Sequence, residues 1–313
     1  MSGDGPVVVL AGGTGGAKLA RGMLDVVGAE QLVVIANTGD DVRAHEGHVS
    51  PDADLCMFWL ADLIDERGWG LRDDTFHVME GLRELGVEVW FNLGDRDLAV
   101  CLERRRRLDA GQRLTLVQRD LARAFGVQAE VLPMCDQPVE TWVRSDGAWH
   151  AFQEFMIRCG GASPDPPAVD GVDLRGIEAA AATGEVLEAI ASARAVIVGP
   201  SNPVISVGPI LRVRGLREAL VATAAPVVAV SPLVAGRSVK GPTEVFLAWS
   251  STQLSAAGVA SLYGEVLDGM VTDEASAGGL PVVTTDTMMS DAEARRRVAT
   301  ETLAFAATLP DHP

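Results

Sequence analysis

The chain has 313 residues, 48% of them hydrophobic, and its 43 acidic against 26 basic side chains give a formal net charge of −17. That length and apolar content supply one large α/β core or two lobes, and the acidic balance argues against nucleic acid or an anionic membrane surface as partner, while leaving room for an anion in a locally basic pocket. Cys56, Cys101, Cys135 and Cys159 form no C-x-x-C pair, which points to reduced thiols in a cytoplasmic protein, not to a zinc site or a disulfide framework.

The opening stretch, residues 1–6, lacks a basic n-region, and no run reaches the ~18 consecutive apolar residues of a membrane span. The first element is the β-branched run Val7-Val8-Val9-Leu10-Ala11, which leads straight into Gly12-Gly13-Thr14-Gly15-Gly16-Ala17-Lys18. Glycines reach positive φ cheaply and let a ligand approach the backbone, and the amides of a helix start turn partial positive charge toward an anion. Gly13, Thr14, Gly15 and Lys18 are therefore candidate phosphate-binding residues. The spacing fits neither the dinucleotide fingerprint, where Lys18 would have to be a third small residue, nor a P-loop.

A helix over 19–27 and a strand over 31–36 complete a βαβ unit that ends in Asn37-Thr38-Gly39-Asp40-Asp41. Parallel strands present their following turns on one edge of the sheet, so Asp40 and Asp41 should face the glycine turn. Carboxylates beside a phosphate site imply a cation, and Mg²⁺ suits a set of one or two carboxylates plus phosphate oxygens. The following loop adds His45, His48, Asp52 and Asp54 before a helix that begins near residue 53. Capping accounts for one of the last two acids; the other is the metal candidate, with Asp54 preferred to Asp52.

Next come a helix over 74–85 and a third strand over 87–91, followed by Asn92-Leu93-Gly94-Asp95-Arg96-Asp97, where Arg96 can meet a phosphate or pair with its acidic neighbours. A helix over 98–107 ends in the block Arg104-Arg105-Arg106-Arg107, read as a solvated C-terminus that complements the helix dipole. A helix over 112–126, a strand over 128–132 and a hairpin of 139–144 with 148–152 across Ser145-Asp146-Gly147 break the βα alternation, and 160–173 is rich in proline and glycine. This pattern predicts an inserted subdomain over 98–173 within a core made of 1–97 and 174–313.

The alternation then resumes with a helix over 184–193, a strand over 195–198, a helix over 211–222 and a strand over 226–230. The two strands end in Gly199-Pro200-Ser201-Asn202-Pro203 and in a long loop over 231–242. Loops of that length inside a domain are usually functional: Ser201 and Asn202 can hydrogen-bond a base or a phosphate, and Arg237 and Lys240 can neutralise one. A helix over 257–267, short strands over 270–272 and 281–284, and a closing helix over 290–307 capped by Ser290 or Asp291 finish the chain. The predicted fold class is α/β and Rossmann-like: a mostly parallel sheet with helices on both faces and an inserted α+β substrate subdomain.

Read together and in order, Leu10-Ala11-Gly12-Gly13-Thr14-Gly15-Gly16-Ala17-Lys18-Leu19, Asn37-Thr38-Gly39-Asp40-Asp41, Asn92-Leu93-Gly94-Asp95-Arg96-Asp97-Leu98-Ala99, Gly199-Pro200-Ser201-Asn202-Pro203, and Ser231-Pro232-Leu233 with Lys240-Gly241-Pro242 closely resemble the 2-phospho-L-lactate transferase family of deazaflavin coenzyme biosynthesis. The likeness runs over residues 7–307. It implies a Rossmann-like core with an added substrate subdomain, a homodimer, and a Mg²⁺-dependent reaction. In that reaction a phosphorylated three-carbon acid passes from a guanosine diphosphate donor to the terminal ribityl hydroxyl of a hydroxy-deazariboflavin, and GMP is released. Motif by motif, Gly13, Thr14, Gly15 and Lys18 would hold the diphosphate and Asp41 and Asp54 the metal. Ser201, Asn202, Pro203 and Lys240 would serve the guanosine end, and Asp40, Asp41 or His45 would stand near the hydroxyl to be deprotonated. The deazaflavin ring would need a flat apolar wall, for which Trp90, Phe91, Met134 and Trp142 are candidates, with Asp95 and Arg96 beside it. A related branch consists of nucleotide-sugar-binding regulators without enzymatic activity; the Gly94-Asp95-Arg96-Asp97 tract and the insertion argue against it. A nicotinamide oxidoreductase is disfavoured by Lys18. Lactate, enolpyruvate and glycerate donors differ by a few atoms, and the sequence does not choose among them.

Overall fold

The β-branched runs become strands because each buries side chains on both of its faces. In the computed structural model, which describes residues 5–310, they are β1 (Val7–Ala11), β2 (Leu32–Ala36), β3 (Glu130–Pro133), β4 (Ala195–Val198), β5 (Val227–Val230), β6 (Gly269–Thr272) and β7 (Val282–Thr284). Residues 1–4, within the stretch read for a leader, and 311–313, at the end of the expected core, lie outside the described residues. Along β1, Val7, Val9 and Ala11 join the core on one face and Val8 and Leu10 the core on the other, the period-two alternation of a strand covered by helices on both sides.

The seven strands lie in the order β3-β2-β1-β4-β5-β6-β7, with every pairing parallel. This is the doubly wound order, whose direction of winding reverses between β1 and β4 and leaves a crevice at the carboxyl ends of those two strands. Helix α1 (Gly13–Val27) springs from that point and packs against α2 (Pro51–Leu60) and the closing helix Ala292–Ala306. The Asp291 carboxylate accepts from the Ala294 amide at 2.9 Å, so it is Asp291 that caps the closing helix. Among the described residues no helix is long and apolar enough to cross a membrane.

Three expectations are corrected. Residues 87–91 form no strand: the place beside β2 is taken by β3, whose Val131 and Leu132 are buried, whereas Val87 is exposed and Val89, Trp90 and Phe91 pack on a smaller cluster around Leu93, Leu98 and Cys101. The stretch 98–173 therefore contributes the edge strand of the main sheet, and the antiparallel part is a separate three-stranded sheet of Glu140–Ser145, Ala148–Ala151 and Gly171–Arg175. The helix expected over 211–222 is two helices, Val207–Arg212 and Leu216–Ala222, because Gly215 takes a left-handed φ of 89° between them.

Gly15 lies where the first turn of α1 meets the loop after β4, and a Cβ there would stand 2.0 Å from the Pro200 carbonyl oxygen. Backbone cannot yield as a flexible side chain would. Gly15→Ala should lower the free energy of unfolding by about 1–3 kcal/mol, read from urea titration; an unchanged midpoint would show that the loop after β4 does not pin α1.

Candidate active site

The loops after β1, β4, β5 and β7 converge at the reversal point and enclose a cavity of about 360 Å³. Its floor is the glycine turn, stitched to the next strand's turn by one hydroxyl: the Gly12 amide donates to Ser201 Oγ at 3.2 Å, and Ser201 donates back to the Gly12 carbonyl at 2.6 Å. Gly13 takes a φ of 60° and turns its amide onto Asp52 Oδ1 at 2.6 Å. Thr14, Gly15, Lys18, Asn202 and Lys240 line the walls, as the sequence suggested, whereas Pro203 is buried beneath its loop and does not reach the cavity. Lys18 Nζ donates to the Met289 carbonyl at 3.1 Å. Its pKa is depressed by burial, then by the charges of Arg295 and Lys240, and among the described residues none of the three cations is ion-paired. A bound anion would relieve that repulsion.

The same cavity holds two acids, Asp40 and Asp52, which are 6% and 3% exposed. Asn37 Nδ2 bridges them, donating to Asp40 Oδ1 at 3.0 Å and to Asp52 Oδ2 at 2.9 Å. Burial, followed by the Asp52 charge, pushes the Asp40 carboxyl well above the usual range, and burial likewise raises Asp52. Two buried carboxyls gathered around one neutral amide make a site short of positive charge.

Asp41 and Asp54, the expected metal ligands, point elsewhere. The Asp41 amide closes a turn onto the Thr38 carbonyl, and its carboxylate accepts from His48 Nε2 at 2.8 Å and Ser50 Oγ at 2.7 Å. It anchors the hairpin of Val42–Ala44 and Gly47–Val49. His45, at the hairpin tip in a left-handed conformation, donates through Nε2 to the Phe91 carbonyl at 2.7 Å and does not line the cavity. Asp52 and Asp54 are two residues apart in α2, about 200° around the helix, so only one of them can face the glycine turn. Asp52 faces it; Asp54 faces Arg104.

Arg104 is the largest departure from the sequence reading. It is fully buried, not solvated: Nη1 donates to Asp54 Oδ2 at 3.0 Å and to the His48 carbonyl at 2.9 Å, and Nη2 to Asp54 Oδ1. Asp97, Cys101, Arg104 and Leu108 recur at helical spacing along the helix Asp95–Asp109, and that periodicity marks Arg104 as inward-facing within an otherwise surface arginine block.

A second cavity of about 380 Å³ opens on the far side of the short helix Phe152–Ile157, which presents Phe152 and Met156 to the first cavity and Gln153 and Ile157 to the second. Pro51, Asp54, Trp69, Trp90, Phe91 and Asp97 line it. Trp90 and Phe91 thus fall on a ligand-sized apolar slot, but Trp142 and the other candidates for a ring site do not. Met134 is fully buried in the core past β3. The Asp95 carboxylate accepts from Thr75 Oγ1 at 2.6 Å and from the Val78 and His77 amides at 3.0 and 3.1 Å, contacts that hold it below the usual carboxylate range. The Arg96 guanidinium lies on the surface, donating to the Arg72 carbonyl at 3.3 Å.

A family model described as 2-phospho-L-lactate transferase CofD matches residues 7–301. A 2-phospho-L-lactate transferase of Methanosarcina acetivorans is 37% identical over 303 residues, 94% of this chain and 96% of the relative. A phosphoenolpyruvate transferase of Kitasatospora aureofaciens is 39% identical over 317 residues, 96% and 97% of the two chains. A solved structure of a UPF0052 family protein from Bacillus halodurans superposes with a TM-score of 0.61 over 96% of this chain and 99% of its own; at 14% identity the likeness is one of fold.

Removing Arg104 would strand Asp54 as a buried, unpaired charge. Arg104→Met should therefore cost about 3–5 kcal/mol in denaturant unfolding, whereas Arg106→Ala, which breaks only the surface pair with Glu103, should leave the midpoint in place. Equal effects of the two changes would contradict the clamp assigned to Arg104.

Proposed function

The chain belongs to the 2-phospho-L-lactate transferase family, and on that premise we propose that it moves a phosphorylated three-carbon acid from a guanosine diphosphate donor to the ribityl hydroxyl of a hydroxy-deazariboflavin. The coarser statement, a transferase of the phospholactate or phosphoenolpyruvate type, is what its relatives share. One observation supports the finer one: two cavities of ligand size meet across a single turn, with Asp52 facing the first and Pro51 and Asp54 facing the second. The first offers glycine amides, two lysines without an ion pair among the described residues, and two acids, the chemistry of a nucleoside diphosphate with a divalent cation. The second offers a slot walled by Trp69, Trp90 and Phe91, suited to a flat fused ring.

In this scheme the acceptor oxygen forms a bond to the phosphorus that carries the acid and gives up its proton to solvent, and the bond from that phosphorus to the bridging oxygen breaks, so that GMP departs with the bridge. Phosphoryl transfer asks mainly for positioning and charge neutralisation. The amides of the 12–16 turn with Lys18 and Lys240 supply fixed positive potential for the diphosphate, and Arg295 adds to the potential at Lys18. Asn37 and the Gly13 amide hold Asp52 at the junction of the cavities, where donor and acceptor would meet. The Asp40 and Asp52 pair fits Mg²⁺, since among the described residues its two buried carboxyls have no cationic partner; bound there, the ion would neutralise the diphosphate and acidify the incoming hydroxyl.

Incubation with hydroxy-deazariboflavin, Mg²⁺ and guanosine diphosphate donors of lactate, enolpyruvate and glycerate should yield GMP and one phosphodiester product by mass spectrometry; no product from any donor would refute the assignment. Chelation of divalent cations should stop turnover. Asp52→Asn should reduce it on the order of a hundredfold or more, and Asp41→Asn, which alters only the hairpin anchor, should cost far less. The reverse ranking would return the metal to Asp41.

A further inference from the structure

Asp97 is a buried acid that the scheme above leaves unused. It is the third residue of the helix Asp95–Asp109 and is 9% exposed. Its amide is capped by Asp74 Oδ2 at 3.0 Å, but among the described residues its own carboxyl accepts no hydrogen bond and joins no ion pair. It lines the second cavity together with Gly70, and a Cβ built on Gly70 would stand 3.9 Å from Asp97 Oδ2, so that oxygen is directed at the cavity wall. A buried acid without a partner costs stability. Helix capping does not explain its retention, because Asp74 already caps the first turn.

Its charged neighbours decide which form it takes. Asp54 from α2 offers a carboxylate oxygen, and Cys101 on the same helix its sulfur, each within 4.8 Å of an Asp97 oxygen. Arg104 is committed to Asp54, and Asp74 adds a further negative charge from the preceding loop. The Cys101 thiol, raised by burial, stays protonated. Burial and then Asp54 lift the Asp97 carboxyl to about 7, against the opposing pull of Arg104. Its protonated form, which gains population as the pH falls through about 7, presents a hydroxyl donor and a carbonyl acceptor side by side, on the edge of a slot walled by Trp69, Trp90 and Phe91.

We propose that Asp97 is the residue that selects the acceptor ring, its carboxyl pairing with an adjacent N–H and C=O, the imide edge of a fused heteroaromatic, through two parallel hydrogen bonds. This rests on the assignment of the second cavity to the acceptor. A neutral donor and acceptor side by side match an imide edge and leave a lone phenol half-paired; the aromatic walls supply affinity and Asp97 supplies the choice of ring and its orientation.

Binding of hydroxy-deazariboflavin, followed by its fluorescence, tests this. Asp97→Asn keeps a donor and an acceptor and should bind within about threefold of the wild type, whereas Asp97→Leu should bind at least tenfold more weakly. A ring methylated on its imide nitrogen should bind the wild-type protein as weakly as the unmodified ring binds Asp97→Leu. Neither variant removes a side-chain hydrogen bond, so both should melt at or above the wild-type temperature. For Asp97→Asn the gain should be larger at pH 8 than at pH 5, because a carboxyl whose pKa is raised on folding penalises the native state increasingly as pH climbs from about 4 toward that raised value. Wild-type affinity in Asp97→Leu, or undiminished binding of the methylated ring, would overturn the role given to Asp97. Failure of the wild-type protein to bind hydroxy-deazariboflavin at all would instead remove the acceptor assignment on which that role rests.

Discussion

The contact on which the rest of the site depends is the pair of hydrogen bonds that Asp52 accepts, from the Gly13 amide on one oxygen and from Asn37 on the other. Through it the start of α2 is tied to the turn after β1 and to the turn after β2. These three segments are far apart in sequence and come together only because a parallel sheet places the ends of β1 and β2 side by side. Since successive residues of α2 rotate by about 100°, fixing Asp52 toward the glycine turn also fixes Asp54 toward the opposite side. There Arg104 receives it and holds the His48 carbonyl as well. One helix turn thus sets the boundary between two cavities of different character.

The polar groups around that boundary divide into satisfied and unsatisfied sets. Asp41, Asp54, Asp74 and Asp95 are fully engaged with protein partners, and each holds a loop or a helix start in place. Arg295 and Lys240 repel Lys18, Asp40 and Asp52 share one amide, and among the described residues the Asp97 carboxyl accepts no hydrogen bond and joins no ion pair. The second set lowers the stability of the fold. Perturbed groups of this kind concentrate where ligands bind, because a ligand of complementary charge or hydrogen-bonding pattern recovers what folding gave up.

Much of this was legible from the chain alone, and the misses share a cause. The strands of the parallel sheet are short, apolar and β-branched, and the glycine turn follows one directly, so the sheet edge and the gathering of Gly13, Thr14, Gly15, Lys18, Ser201, Asn202 and Lys240 around one cavity there follow from the chain alone. The run at 87–91 has the same composition, but whether such a run joins a sheet depends on which neighbour competes for the edge, and β3 occupies it. The acids were harder. Asp40 against Asp41, and Asp52 against Asp54, are choices of side-chain direction within a turn or a helix, which a loop of unknown path does not fix. Helical periodicity does settle Arg104, since Asp97, Cys101 and Leu108 share its face. A block of four arginines hid that signal by looking uniformly solvent-facing.

The central claim is that the two cavities are distinct sites, occupied together, that meet at Asp52. Titration of hydroxy-deazariboflavin into the protein with and without saturating GDP and Mg²⁺ tests it most directly. Simultaneous occupancy predicts that GDP leaves the affinity for the ring unchanged or improves it. Displacement of the ring by GDP would place both ligands in one cavity and contradict the account.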